Sequence, residues 1–330
     1  MYVVFTDTSS NLPTPLLKER DIRYLAYSYY IGEEEFQCLD TESFDGAAYY
    51  QAIREGREVT TSQINPARFE EAFEPLLKEG KDILFISMSS GISGSCHSAK
   101  MAALELMTRY PDRRIEVVDT LSASLGEGIF AIKAADLRDR GIPLEEAAEL
   151  LREEAPAMCQ VFTVDDLMHL RRMGRLSNFS AILGSMLRIK PILKGDEEGK
   201  IVSIAKFRGR RKALDALAEI YNQFVETPEV QTVCIAHADC PEDAAYLAGL
   251  LQLDKPPKDI LTVCYEPVTG AHVGPDTLAL FFFSHQGIRS EKLLPDLLDQ
   301  LPVKNIKDIK EKVKKLPIPF PGKKDKDERE

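Results

Sequence analysis

The sequence predicts an α/β protein of two α/β domains, the first on a mostly parallel sheet and the second on a mixed sheet. Three observations carry this. In the first half, apolar strand-like runs repeatedly lead into a small polar turn and then into helical spacing, the order that builds a parallel sheet with helices on both faces. Near Ala155-Pro156 that rhythm changes. A chain of 330 residues is long enough for two cores. No internal repeat is visible. The division reads as 1–156, 157–289 and an extension at 290–330.

Residues 2–6 (YVVFT) form a strand ending at Asp7, followed by the turn Thr8-Ser9-Ser10-Asn11 and a helix after Pro13. Small polar residues at a strand's C-terminal end are where open α/β sheets hold ligands. Residues 22–31 alternate loosely and read as extended, and 41–55 reads as helical. Val59-Thr60-Thr61-Ser62-Gln63 leads into a helix over 67–78, capped by Ser62 or Asn65. Thr61 and Ser62 therefore read as hydroxyls at a helix start. Residues 83–86 (ILFI) are a buried strand, Ser87 to Ser95 a turn, and HSAKMAALELMTRY at 97–110 a helix. Residues 115–119 (IEVVD), a polar turn at 120–127 and a helix over 128–138 repeat the pattern, and a further helix spans 144–154.

In the second half, 160–164 reads as a strand and 165–173 as a short helix carrying Arg171 and Arg172 and stopped by Gly174. An apolar helix is expected at 181–187, ahead of Arg188 and Lys190. Strands follow at 201–207, 232–236, 260–266 and 278–283, with helices at 211–225 and 241–251. His272 lies between glycine-flanked turns, in GAHVGP at 270–275.

The turn at 87–95 has the chemistry of an anion receptor. Gly91 and Gly94 let backbone approach a ligand, the serines add hydroxyl donors, and helix-start amides carry partial positive charge. The same pattern also serves as a plain N-cap.

Composition narrows the function classes. The net charge of −11 argues against nucleic acid as a partner. Hydrophobic residues make up 44% and charged residues 29%, and no apolar run is long enough to span a bilayer. The six cysteines, without a CxxC spacing or a signal peptide, read as reduced thiols of a cytoplasmic protein. The five histidines show no metal-binding spacing. Residues 304–330 hold ten Lys/Arg against six Asp/Glu, a local +4 that leaves −15 on the remainder. Ile306, Ile309, Val313 and Leu316 recur there at helical spacing. A basic amphipathic helix of this kind suits a transient contact with an anionic membrane surface, or packing on the acidic body itself.

Eight segments together carry a resemblance: FTDTSSNLP at 5–13, TTSQINPARF at 60–69, SSGISGSCHSA at 89–99, VVDTLSASLGEG at 117–128, LRRMGRLS at 170–177, IKPIL at 189–193, KFRGRRKAL at 206–214 and AHVGP at 271–275. In this order they resemble the DegV family, bacterial fatty-acid-binding proteins that include the binding subunits of fatty acid kinase. Two departures are Met173-Gly174-Arg175, where the family has Gly-Gly-Arg, and Ser95-Cys96, where it has Thr and an aromatic.

The resemblance implies a mixed-sheet C-terminal domain enclosing an acyl tunnel, with the carboxylate of a long-chain fatty acid at the domain interface. Thr61, Ser62, Ser93, Gly94 and His272 would bind that carboxylate. Arg175 would support phosphotransfer, and Arg208 and Arg210, with Arg211, would dock a separate ATP-dependent kinase, unless they are only a solvated helix start. The chain would then catalyse nothing alone and carry no cofactor beyond the bound fatty acid. Three alternatives stand beside it. One is a lipid carrier or sensor without a kinase. Another is a sugar- or phosphate-handling α/β protein. The last is a serine hydrolase using Ser93, His272 and Asp7, although Gly91-Ile92-Ser93-Gly94-Ser95 is not a GxSxG elbow.

Overall fold

The computed structural model describes residues 2–177 and 189–290. The helix expected at 181–187 and the basic extension beyond residue 290 lie outside the described residues.

The first sheet has the order β2-β1-β6-β7 and is wholly parallel. Its strands are β1 (Tyr2–Asp7), β2 (Ile22–Leu25), β6 (Asp82–Ser87) and β7 (Ile115–Asp119). The continuous apolar runs follow from burial on both faces. Phe5, Ile83 and Phe85 pack on α3 (Pro66–Lys78) and α4 (Ser95–Arg109). Val4, Leu84 and Ile86, one residue out of phase, pack on α5 (Leu125–Asp139) and α6 (Leu144–Glu154).

The second sheet has the order β10-β9-β8-β13-β11-β12. It comprises β8 (Met158–Thr163), β9 (Ile189–Gly195), β10 (Ile201–Arg208), β11 (Thr232–His237), β12 (Asp259–Cys264) and β13 (Leu278–Phe283). Only β11 and β12 pair in parallel, so the sheet is mixed, as expected. One face is covered by α8 (Arg210–Phe224) and α9 (Pro241–Asp254). The other shares a core with α5, whose small residues Ala131, Ala134 and Ala135 let it lie between the two sheets.

The sequence expectations need correction in three places. The segment read as merely extended contains β2 and β3 (Ser28–Ile31), and β3 pairs antiparallel with β4 (Glu34–Phe36) and β5 (Val59–Ser62) in a third sheet. Thr61 and Ser62 thus end a strand rather than start a helix, and Asn65 alone caps α3, its Oδ1 accepting from the Arg68 amide at 3.1 Å. The stretch around His272 is a helix, α10 (Pro267–Val273), not a turn. Glu266 caps it, accepting from the Val268 amide at 2.7 Å and from Thr269.

The segment before α10 is tied to the first half of the chain. Asn11 Nδ2 donates to Cys264 O at 3.0 Å, and the Glu266 amide donates back to Asn11 Oδ1 at 2.6 Å. From α2 (Gly46–Arg54), the Tyr49 hydroxyl donates to Pro267 O at 2.6 Å and that of Tyr50 to Tyr265 O at 2.9 Å. At the end of α2, Arg54 pairs with Asp239 at 2.6 Å and Asp276 at 2.9 Å. No helix among the described residues is long and apolar enough to cross a membrane.

Candidate functional site

The loop joining β6 to α4 begins the site. Ser93 lies in it, half-buried, with its hydroxyl 3.1 Å from the Tyr27 hydroxyl and accepting from the Ser95 amide at 3.2 Å. Ser95 Oγ in turn accepts from the Ile64 amide at 3.0 Å, which joins the start of α4 to the segment after β5. The loop is pinned from the far side as well, where Ser89 Oγ donates to Gly199 O at 2.9 Å in the turn between β9 and β10.

Thr61, near the end of β5, meets α10. Its Oγ1 and His272 Nε2 are hydrogen-bonded at 2.8 Å. Burial drives the His272 pKa down to about 4, and the charges of Arg175 and His169 act the same way, so the imidazole is neutral at physiological pH. Its Nδ1 is buried and has no partner among the described residues. In the tautomer in which Thr61 donates to Nε2, Nδ1 carries the proton and is a free donor. Arg175, just past α7 (Leu167–Arg172), holds the loop: its Nε donates to Ile92 O at 3.4 Å and its Nη1 to Met173 O at 2.8 Å.

These groups open on one cavity of about 310 Å³. Thr61, Ser62, Ser93, Gly94, Arg175 and His272 all line it, so the structure brings together every residue expected at the carboxylate. Elsewhere its wall is largely apolar, formed by Phe162, Leu170, Ile201, Val273, Ala279 and Phe281, with Gln63, Ser124, Gln160 and Thr269 set among them. Arg208 and Arg210 are not among the lining residues. Arg208 is exposed at the end of β10, while Arg210 is committed to Asp243 on α9 at 2.7 Å and Arg211 stacks on the Tyr246 ring. Asp7, placed with Ser93 and His272 in the hydrolase alternative, is elsewhere: it bonds to Ser9, and Ser93 and His272 are engaged by Tyr27 and Thr61 instead.

Tyr27, Ser124, Tyr265 and Thr269 also line the cavity and were not expected from the sequence. Tyr27 lies in the stretch that alternates only loosely, and Thr269 lies on α10, which the sequence reads as turns.

Away from the cavity lies a fully buried acidic pair. Ser9 Oγ is hydrogen-bonded to Asp7 Oδ1 and to Glu127 Oε2, the latter at 2.7 Å, and Thr6 Oγ1 donates to Glu127 Oε1 at 2.8 Å. A hydroxyl has one proton and cannot donate to both carboxyls. One of the two acids must be protonated and donate to it. Burial pushes the Asp7 pKa up to about 7 against the hydrogen bonds from Ser9, and burial with the Asp7 charge pushes Glu127 well up.

Comparison with known proteins places the chain. A family model described as an uncharacterised protein, DegV family, matches residues 1–285. The chain belongs to the DegV family. A DegV domain-containing protein of Clostridium perfringens is 40% identical over 282 residues, covering 85% of this chain and 97% of that one. Among solved DegV structures, one from Thermus thermophilus described as fatty-acid binding superposes with a TM-score of 0.78 at 27% identity, covering 86% of this chain and 100% of its own. Another, a fatty acid binding DegV family protein from Streptococcus agalactiae, gives 0.76 at 28% identity over 86% and 99%. The pair of sheets described above, one parallel and one mixed, is the DegV two-domain fold.

Proposed function

We propose that this DegV protein binds a long-chain fatty acid, with Thr61, Ser62, Ser93, Gly94 and His272 around the carboxylate and the acyl chain in the adjoining cavity. The observation that carries the reading is the cavity whose hydroxyls and neutral imidazole gather on β5, the β6–α4 loop and α10 while most of the remaining wall is apolar. A carboxylate taken from water needs its hydrogen bonds replaced; the serine hydroxyls, the loop backbone at Gly94 and His272 Nδ1–H can supply them, with Thr61 beside them orienting the imidazole. Each buried CH2 adds about 0.8 kcal/mol, ~10 kcal/mol gross for a long chain before ordering costs. The fatty-acid-binding relatives support the same ligand class.

In this reading the protein works in the cytoplasm as an accessory subunit. A separate ATP-dependent kinase converts the bound acid to an acyl phosphate, with Arg175 beside the carboxylate as the charge that favours the added phosphoryl group. Arg208, exposed at the end of β10, is the nearer candidate for kinase docking, Arg210 being held by Asp243. The division of the chain near residue 156 and a membrane contact by the basic extension belong to the same proposal.

The test is mass spectrometry of an organic extract of the purified, denatured protein. A near-stoichiometric long-chain fatty acid is expected. An empty extract, with no uptake of added fatty acid, would remove the reading. Ser93→Ala should weaken fatty-acid binding by about 1.5–3 kcal/mol, the worth of a hydrogen bond to a charged group. Titration calorimetry checks this, and equal affinity would reduce the serine to a partner of Tyr27.

A further inference from the structure

Ser124 lines the cavity from a different quarter. It immediately precedes α5, and its neighbours fix that helix start to the second sheet. The Ala123 amide donates to Gln160 Oε1 on β8 at 3.2 Å, and a side chain at Gly126 would meet the Phe281 ring of β13 at 3.1 Å. The carboxylate cradle, in contrast, is built from β5, the β6–α4 loop and α10. Ser124 is 1% exposed, its side chain does not cap α5, and its Oγ has no hydrogen-bond partner among the described residues. The Gln160 amide does not partner it: its Oε1 accepts from Ala123 and its Nε2 donates to Leu121 O at 3.3 Å, with no bond to Ser124. The nearby polar group is the Tyr265 hydroxyl: burial raises its pKa, and Ser124 lies close enough to work against that as a hydrogen-bonding neighbour, although the pair does not reach hydrogen-bond geometry. The backbone at Ser124 has φ 54 and ψ −141, a conformation that favours glycine. Serine occupies that conformation at some cost in strain.

A buried hydroxyl without a partner is unfavourable, and an unsubstituted methylene chain offers it none. Resting on the fatty-acid reading, we infer that Ser124, with Tyr265, forms a second polar contact point in the cavity that selects an acyl chain bearing a hydroxyl or oxo oxygen. The oxygen would accept from or donate to Ser124 Oγ at a fixed distance from the carboxylate. Selectivity would therefore depend on the position of the substituent along the chain.

The experiment uses the full chain, stripped of lipid, titrated calorimetrically with stearate and a positional series of hydroxystearates. One position should bind ~10-fold more tightly than stearate, the worth of about one added hydrogen bond. Ser124→Gly suits the backbone and should fold, and in it that ratio should fall to about one; Tyr265→Phe should lower it in the same direction. If no hydroxystearate exceeds stearate, or if Ser124→Gly keeps the ratio, the inference is overturned while fatty-acid binding stands. If neither stearate nor any hydroxystearate binds, the fatty-acid reading falls and takes this inference with it.

Discussion

Glu127→Gln should raise stability above neutrality by a few kcal/mol, ~2–4, and leave it nearly unchanged near pH 4–5. The cause is the buried pair joined by Ser9. Folding raises the carboxyl pKa of Asp7 to about 7 and that of Glu127 upward from its ordinary range. Between the unfolded carboxylate range and the folded value, the native state holds protons that the unfolded state has released. Stability then falls as pH rises through this window, the reverse of the usual salt-bridged carboxylate. Below the window both states are protonated and nothing is lost. Glutamine keeps the oxygen that accepts from Thr6, and its NH2, in place of the other oxygen, donates to Ser9 Oγ, which leaves the serine proton free for Asp7 Oδ1. Asp7 can then ionise without a second negative charge beside it. Urea melts of both proteins from pH 5 to 9 measure the difference. Parallel curves across that range would show that the pair holds no proton near neutrality.

The second large effect belongs to Gly91. A Cβ built there would lie 2.4 Å from Glu198 O and 2.8 Å from the carbonyl carbon of Gly199. Both are backbone atoms of the β9–β10 turn, so neither can swing aside as a side chain would. Gly91→Ala must push the β6–α4 loop or that turn out of place, an overpacking cost of about 1–3 kcal/mol. Because Ile92, Ser93 and Gly94 follow directly, fatty-acid affinity should fall at least ~10-fold, the equivalent of about 1.4 kcal/mol. Thermal melts and ligand titration on the same sample separate the two losses. A destabilised variant with wild-type affinity would show that the turn, not the loop, gives way.

Much of this architecture could be read before any coordinates. β1, β6 and β7 are legible because sheet strands covered on both faces are apolar throughout, and such runs need no partner to be recognised. The hydroxyls of Thr61, Ser62 and Ser93 were legible as chemistry but not as geometry. β5 is four residues long and mostly polar, and only its pairing with β3, far back in the chain, makes it a strand. The environment of His272 was misjudged because Gly270 and Gly274 outweigh the signal of Glu266-Pro267, an acidic cap followed by proline at the first helical position. Tyr27 was not legible, and Ser124 was legible only as one residue of a polar turn. Their hydroxyls reach the cavity through the packing of β6, α5 and the second sheet, which no local pattern encodes.

The bonds from Asn11 to residues 264 and 266 cross 253 and 255 positions of sequence. The parallel sheet is complete once residue 119 has been made, whereas α10 ends at residue 273. A chain emerging from the ribosome therefore folds its first sheet long before His272 can meet Thr61. During that interval the nascent protein has hydroxyls but no imidazole facing them and no second sheet to close the cavity. If the protein binds lipid as proposed, chains that stop before α10 and β13 lack His272, Ala279 and Phe281 of the cavity wall and cannot sequester it.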